Sequence, residues 1–140
     1  LLEVHCPSVR PDWVRTTDLV MIDEDGYVFH RGRFDGAIVR GGFKILPERL
    51  VDVLRQHPAV VDASVVGIPD ARLGAVPVAA VELSQSAGAV DEQALLAHVR
   101  AALPPTHVPV EIRIVDALPR TPSLKVSLND VKKMFMADAA

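Results

Sequence analysis

The chain is poor in cysteine, in long apolar runs and in charge of one dominant sign. Its 140 residues hold a single cysteine, Cys6, so no disulfide can close within them, and a reducing, cytoplasmic setting is expected. An unpaired cysteine of this kind reads as a packing residue, not a nucleophile. Lys and Arg number 15 against 18 Asp and Glu, for a net charge of -3 with the signs interspersed. That balance gives no basic stripe to follow a phosphate backbone and argues against nucleic acid as a partner. Apolar stretches such as Leu73 to Val81, interrupted by Gly74 and Pro77, fall far short of the roughly 20 residues a transmembrane helix needs. The first residues also lack the charged and apolar regions of a secretory signal. His5, His30, His57, His98 and His107 show neither metal-site nor catalytic-dyad spacing, so no metal ligand set is expected.

What is present is the composition of a folded domain, 49% hydrophobic and 24% charged. Leu1 to His5 alternates like the middle of a strand, with no initiating Met, and reads as part of a longer protein. Val20 to Ile22 and Tyr27 to Phe29 flank Asp23-Glu24-Asp25-Gly26, the pattern of a hairpin whose acidic loop serves to turn. After Gly32 to Gly36 the pattern restarts. Ala37 to Arg40, Gly41-Gly42 and Phe43 to Leu46 predict a second hairpin with a positive-φ turn.

Pro47 then opens a helix with Leu46, Leu50, Val53, Leu54 and His57 along one face, and Pro58 ends it. Ala59 to Ile68 and Ala75 to Leu83 read as strands separated by the turn-rich loop Pro69 to Gly74. Asp91 is a candidate N-cap for a helix lined by Leu95, Leu96, Val99, Ala102 and Leu103, and Val110 to Val115 reads as a further strand. Ser127 would cap a last short helix with Leu128, Val131, Met134 and Phe135 on one face. The expectation is an α+β fold, a short sheet covered by helices and preceded by separate β strands.

Three stretches are too rich in Gly, Pro, Arg, Thr and Lys for plain core structure: 15–19, 32–44 and 118–126. In that order they resemble motifs of the acyl-adenylate-forming enzymes, the superfamily of acyl-CoA synthetases, luciferases and adenylation domains. Val14-Arg15-Thr16-Thr17-Asp18-Leu19 is similar to a Tyr-Arg-Thr-Gly-Asp-Leu motif, Gly32-Arg33-Phe34-Asp35 to a Gly-Arg-x-Asp hinge motif, and Leu118 to Val126 to a Pro-x-Thr-x-x-Gly-Lys motif. Thr17 and Leu124 each stand where the family usually has glycine.

The resemblance implies residues 1–34 as the terminal β segment of a large N-terminal adenylation domain, and 35–140 as the mobile C-terminal domain. It also implies roles. Asp18 would accept hydrogen bonds from the ATP ribose, and Arg33 would hold the nucleotide near ribose and phosphate. Asp35 would be the hinge, with Gly36 absorbing the backbone change. Gly41-Gly42 would line the pantetheine tunnel of CoA, with Arg40 and Lys44 flanking it to meet either CoA phosphates or solvent. Lys125 would bridge the attacking carboxylate and the α-phosphate during adenylation.

The implied parent is a bacterial acyl-CoA synthetase that uses ATP, CoA and Mg²⁺ on a fatty or other medium-to-long carboxylic acid. The isolated 140 residues, with no Ser/Thr/Gly-rich phosphate loop or acyl pocket among them, are expected to be inactive alone. Two alternatives stay open: an acyl-AMP ligase that loads a carrier protein, and a non-catalytic binding module of the same fold.

Overall fold

The computed structural model describes residues 1–33 and 36–137, and the chain divides into two compact units, Leu1–Ala37 and Ile38–Ala140. The first unit is two small antiparallel pairs. Strands β1 (Glu3–Val4) and β2 (Val14–Arg15) form one, β3 (Asp18–Ile22) and β4 (Val28–Arg33) the other, with a register shift between Leu19 and Val20. The acidic loop between β3 and β4 turns on its own side chain. Asp23 Oδ1 accepts from the N–H of Asp25 (3.0 Å) and of Tyr27 (2.9 Å), and Gly26 takes φ 86°.

The second unit is a mixed five-stranded sheet between helices. Strands β5 (Ile38–Arg40) and β6 (Phe43–Ile45) form the expected hairpin, β7 (Val60–Asp70) and β8 (Gly74–Leu83) a long one, and β9 (Glu111–Val115) runs parallel to β8. The order is β6-β5-β8-β7, with β9 continuing beyond β5 along the same side of β8, so β7 is an edge. The turn after β7 is tighter than the sequence suggests: Asp70 already pairs with Gly74, because Asp70 Oδ1 accepts from the N–H of Arg72 and Leu73 and closes the bend. Pro77, which cannot donate to a ladder, lies between the point where β8 pairs with β5 and the stretch that pairs with β9.

Helices α1 (Pro47–Arg55) and α2 (Glu92–Ala102) cover one face of the sheet, and α3 (Leu128–Met136) the other. Pro47 occupies the first turn of α1, the Asp91 side chain caps α2 through the Ala94 N–H (2.8 Å), and Ser127 caps α3. Leu50, Leu54, Leu95 and Val99 are fully enclosed with Ile45, Val65 and Val81, while Val131 and Phe135 pack on Val66, Val78 and Ala80. Burying each large aliphatic side chain contributes about 1.5–3 kcal/mol. Leu128 does not join the buried face of α3 and stays exposed, since it stands in the first turn beyond the edge of the cluster.

Candidate functional site

In the first unit, Asp18 opens β3 and Arg33 closes β4, and the register sets them directly opposite each other. The start of β3 is held by polar links: Thr16 Oγ1 donates to the Leu2 carbonyl (2.9 Å) and accepts from the Asp18 N–H (3.1 Å). Thr17, at the position where the motif usually has glycine, accepts a hydrogen bond from Arg33 Nη2 at 2.9 Å. The departure from the motif thus supplies a partner for the guanidinium. His30 Nε2 lies 3.4 Å from Asp18 Oδ1. This contact is a cross-strand diagonal that depends on the register shift between Leu19 and Val20, which no local pattern shows. A carboxylate beside a guanidinium offers acceptors for hydroxyls and donors for oxyanions on one small surface.

In the second unit, Gly41 (φ 54°) and Gly42 (φ 89°) make the two-residue turn between β5 and β6, with Arg40 and Phe43 paired across it. A Cβ on Gly41 would come within 3.2 Å of Leu73 Cδ2, whereas one on Gly42 would meet nothing within 4 Å, so the tip of the hairpin is open. Lys44 is exposed on β6. Arg40 points elsewhere: its Nη1 donates to the carbonyls of Thr106 (3.2 Å) and Val108 (2.9 Å), which ties the hairpin to the segment leading into β9. Beside it lies a cavity of about 590 Å³ lined by Arg40, Leu96, Arg100, Leu103 and Val110.

Lys125 sits in a compact loop between β9 and α3. The Ser127 N–H donates to the Pro119 carbonyl (2.8 Å) and Arg120 bridges to Val126, which closes the loop's base. At its tip a β-turn carries Pro122 at the second position: Leu124 N–H donates to the Thr121 carbonyl (2.9 Å) and Thr121 N–H to the Lys125 carbonyl (2.8 Å). Leu124 adopts φ 66°, alone in this respect among the non-glycine described residues. That conformation costs an L-residue about 1–2 kcal/mol, which explains why the motif usually carries glycine here. The Lys125 side chain is exposed, and no hydrogen bond or ion pair holds its ammonium among the described residues.

The loop is tied to the sheet through charge. Arg120 donates from Nη1 to the Leu124 carbonyl (3.1 Å) and from Nη2 to Asp62 Oδ2 (3.0 Å). Asp62 Oδ1 accepts from Arg55 Nε and Nη2 (3.1 and 2.6 Å) and from the Ala63 N–H (2.8 Å). Burial alone would raise the Asp62 pKa, but the hydrogen bonds from Arg55, Ala63 and Arg120 outweigh it and hold the carboxyl below its ordinary value. Sequence reasoning missed this pair, because Arg120 and Asp62 lie far apart along the chain.

Asp35 lies outside the described residues. Cys6 is exposed, not packed, with Sγ 3.3 Å from Ser8 Oγ, because the segment after β1 runs over the surface. His57 and His98 meet edge to face, with His98 Nε2 2.7 Å from the Val53 carbonyl. Among the described residues no three His, Cys, Asp or Glu side chains converge as a metal site, and no helix is long and apolar enough to cross a membrane.

These features define an α+β domain that displays a glycine hairpin and a lysine on a strained turn. Residues 52–125, just over half of the chain, match the AMP-binding enzyme C-terminal domain, and the chain belongs to that family. It is 40% identical over 114 residues to a sulfoacetate–CoA ligase of Cupriavidus necator, covering 81% of this chain and 22% of that protein. It is 35% identical over 133 residues to a 2-succinylbenzoate–CoA ligase of Geobacillus kaustophilus, covering 95% of this chain and 27% of that protein. A Mycobacterium tuberculosis fatty acyl CoA synthetase superposes with a TM-score of 0.77 at 28% identity, over 90% of this chain and 25% of that one. The chain therefore spans about a quarter of the length of these relatives.

Proposed function

We propose that the chain is the C-terminal part of an ATP-dependent acid–thiol ligase that forms an acyl-adenylate and passes the acyl group to CoA. The observation that carries this reading is Lys125, an ammonium without a protein partner among the described residues, exposed on an anchored turn inside the matched family region. In the first step a carboxylate oxygen attacks the α-phosphorus of ATP and the bond to pyrophosphate breaks. Two anions must approach, and Lys125 lowers that cost by lying between them. Asp18 accepts from the ribose hydroxyls, and Arg33, braced by Thr17, donates to nucleotide oxygens.

In the second step the thiol of CoA attacks the acyl carbonyl, loses its proton and expels AMP. The tip beside Gly41, open at Gly42, admits the narrow pantetheine arm, and Lys44 flanks it toward the CoA phosphates, while Arg40, turned to the Thr106 and Val108 carbonyls, braces the hairpin from behind. Asp35 and Gly36 are the hinge between the two states, with residues 1–34 belonging to the larger N-terminal domain and 35–140 to the mobile one. Mg²⁺ would accompany ATP, and the described residues offer it no ligand cluster of their own. The 140 residues alone are inactive in this reading.

The substrate is a fatty or other medium-to-long acid, a choice supported by the structural likeness to a fatty acyl CoA synthetase. The relatives named for sulfoacetate and 2-succinylbenzoate favour a second reading, an acid bearing a further anionic group. Incubating the intact ligase with both kinds of acid, ATP, Mg²⁺ and CoA, and reading products by mass spectrometry, decides between them. Acyl-CoA is the expected product. Acyl-AMP alone would move the acceptor to a carrier protein, and no product of either kind would overturn the ligase reading. In the same enzyme Lys125→Ala should abolish adenylate formation while sparing transfer from supplied acyl-adenylate.

A further inference from the structure

The turn that presents Lys125 is closed by its own backbone, Leu124 N–H to the Thr121 carbonyl and Thr121 N–H to the Lys125 carbonyl, yet it carries a strained residue. Leu124 holds a left-handed conformation that L-residues disfavour, and the residue is 76% exposed, so packing against a core does not compensate. A second, side-chain restraint acts on the Leu124 carbonyl from the foot of the loop. The Arg120 guanidinium donates to the Leu124 carbonyl with one nitrogen and to Asp62 with another. Asp62 is itself fixed, with a side chain only 14% exposed, at the register shift of β7, where the Ala63 N–H and the Arg55 guanidinium saturate its second oxygen. A continuous line of hydrogen bonds thus runs from the end of α1 through the edge strand to the peptide that links Leu124 to Lys125.

We infer that Arg120, held by Asp62, is a positioning residue for Lys125: it keeps the Leu124 peptide in the left-handed turn and so fixes the direction in which the ammonium is presented. A planar fork is needed, because two acceptors on different elements must be reached from one side chain, which a single ammonium does with less geometric control. Glycine at position 124 would hold the same turn without strain, so the leucine and the arginine act as two halves of one arrangement. The inference rests on the proposed adenylation role of Lys125.

The test separates the half-reactions in the intact ligase, using pyrophosphate exchange for adenylation and acyl transfer from supplied acyl-adenylate to CoA for the second step. Arg120→Ala should slow adenylation on the order of 10- to 100-fold, the scale of a misplaced catalytic group, with transfer unchanged. Arg120→Lys should recover part of the loss. Leu124→Gly in the Arg120→Ala background should recover more, and in the Lys125→Ala background Arg120→Ala should change nothing further. Asp62→Asn, which keeps the shape and removes the charge, should follow Arg120→Ala more weakly. Equal slowing of both half-reactions by Arg120→Ala and Asp62→Asn, or no recovery with Leu124→Gly, would overturn the positioning role. If Lys125→Ala itself leaves adenylation intact, the proposed function falls; if Lys125→Ala is dead while Arg120→Ala is fully active, only the present inference falls.

Discussion

Two turns in the second unit both need a backbone with positive φ, and they meet that need in opposite ways. Between β5 and β6 the residues are Gly41 and Gly42, with open space around Gly42 and a paired strand on either side. Between Arg120 and Val126 the residue is Leu124, held by Arg120 at the foot of the same loop, which Asp62 and Arg55 brace from elsewhere in the fold. The glycine turn meets the need through residue type alone, with Gly41 N–H also donating to the Leu73 carbonyl (2.8 Å). The leucine turn, closed by its own backbone, is braced further by Arg120 and Asp62, so the presentation of Lys125 is coupled to α1 and β7, whereas the glycine hairpin is tied instead to the β7–β8 turn and to the segment before β9.

The comparison breaks most sharply at Gly42. Gly42→Val would place a β-branched residue at φ 89°, at a cost of about 1–3 kcal/mol. A lower urea midpoint for the domain and slowed acyl transfer with adenylation spared are expected; unchanged stability would mean that the hairpin tolerates a side chain. A smaller effect of opposite sign is expected at the other turn. Leu124→Gly should raise stability by up to about 1 kcal/mol, the relief of left-handed strain less the added freedom of the unfolded chain, again read from urea midpoints. A loss of stability there would show that the exposed leucine side chain packs favourably.

The smallest effect appears only in acid. The Asp62 carboxyl titrates below its ordinary value of 3.8 in the fold, so its contribution is fully present above that value and is lost as pH falls through the folded pKa. Below about pH 4 the native chain should lose stability more steeply than Asp62→Asn, and the two curves should run parallel above it. Urea midpoints between pH 2 and 6 provide the check. Parallel curves throughout would remove Asp62 from the acid response of the Lys125 loop.

The split between local and long-range causes also decides what could be read from the sequence. The Gly41-Gly42 hairpin, the Pro47 helix start, the Asp91 and Ser127 caps and the apolar faces of α1 and α2 are set by neighbours in the chain, and they stand in the structure as the residues suggest. The parallel placement of β9, the exposure of Leu128 and the tie from Arg40 to the Thr106 and Val108 carbonyls depend on how elements meet, which no local pattern encodes. The candidate site divides in the same way. Lys125, Asp18 and Arg33 stood out by motif, whereas His30 beside Asp18, Thr17 beneath Arg33 and Asp62 behind Arg120 emerged only with the register of the strands.

The outer strand of the sheet bears on self-association. A long edge strand is an open template for pairing with another copy of the same chain. β7 is eleven residues long, but it is interrupted near one end by the register shift beside exposed Val61 and near the other by Pro69, with Asp62 and Asp70 close to each break. A bulge, an imino acid and two carboxylates leave only the middle of the strand regular enough to template a second sheet. The irregularity that seats Asp62 for Arg120 thus also guards the domain against edge-to-edge aggregation.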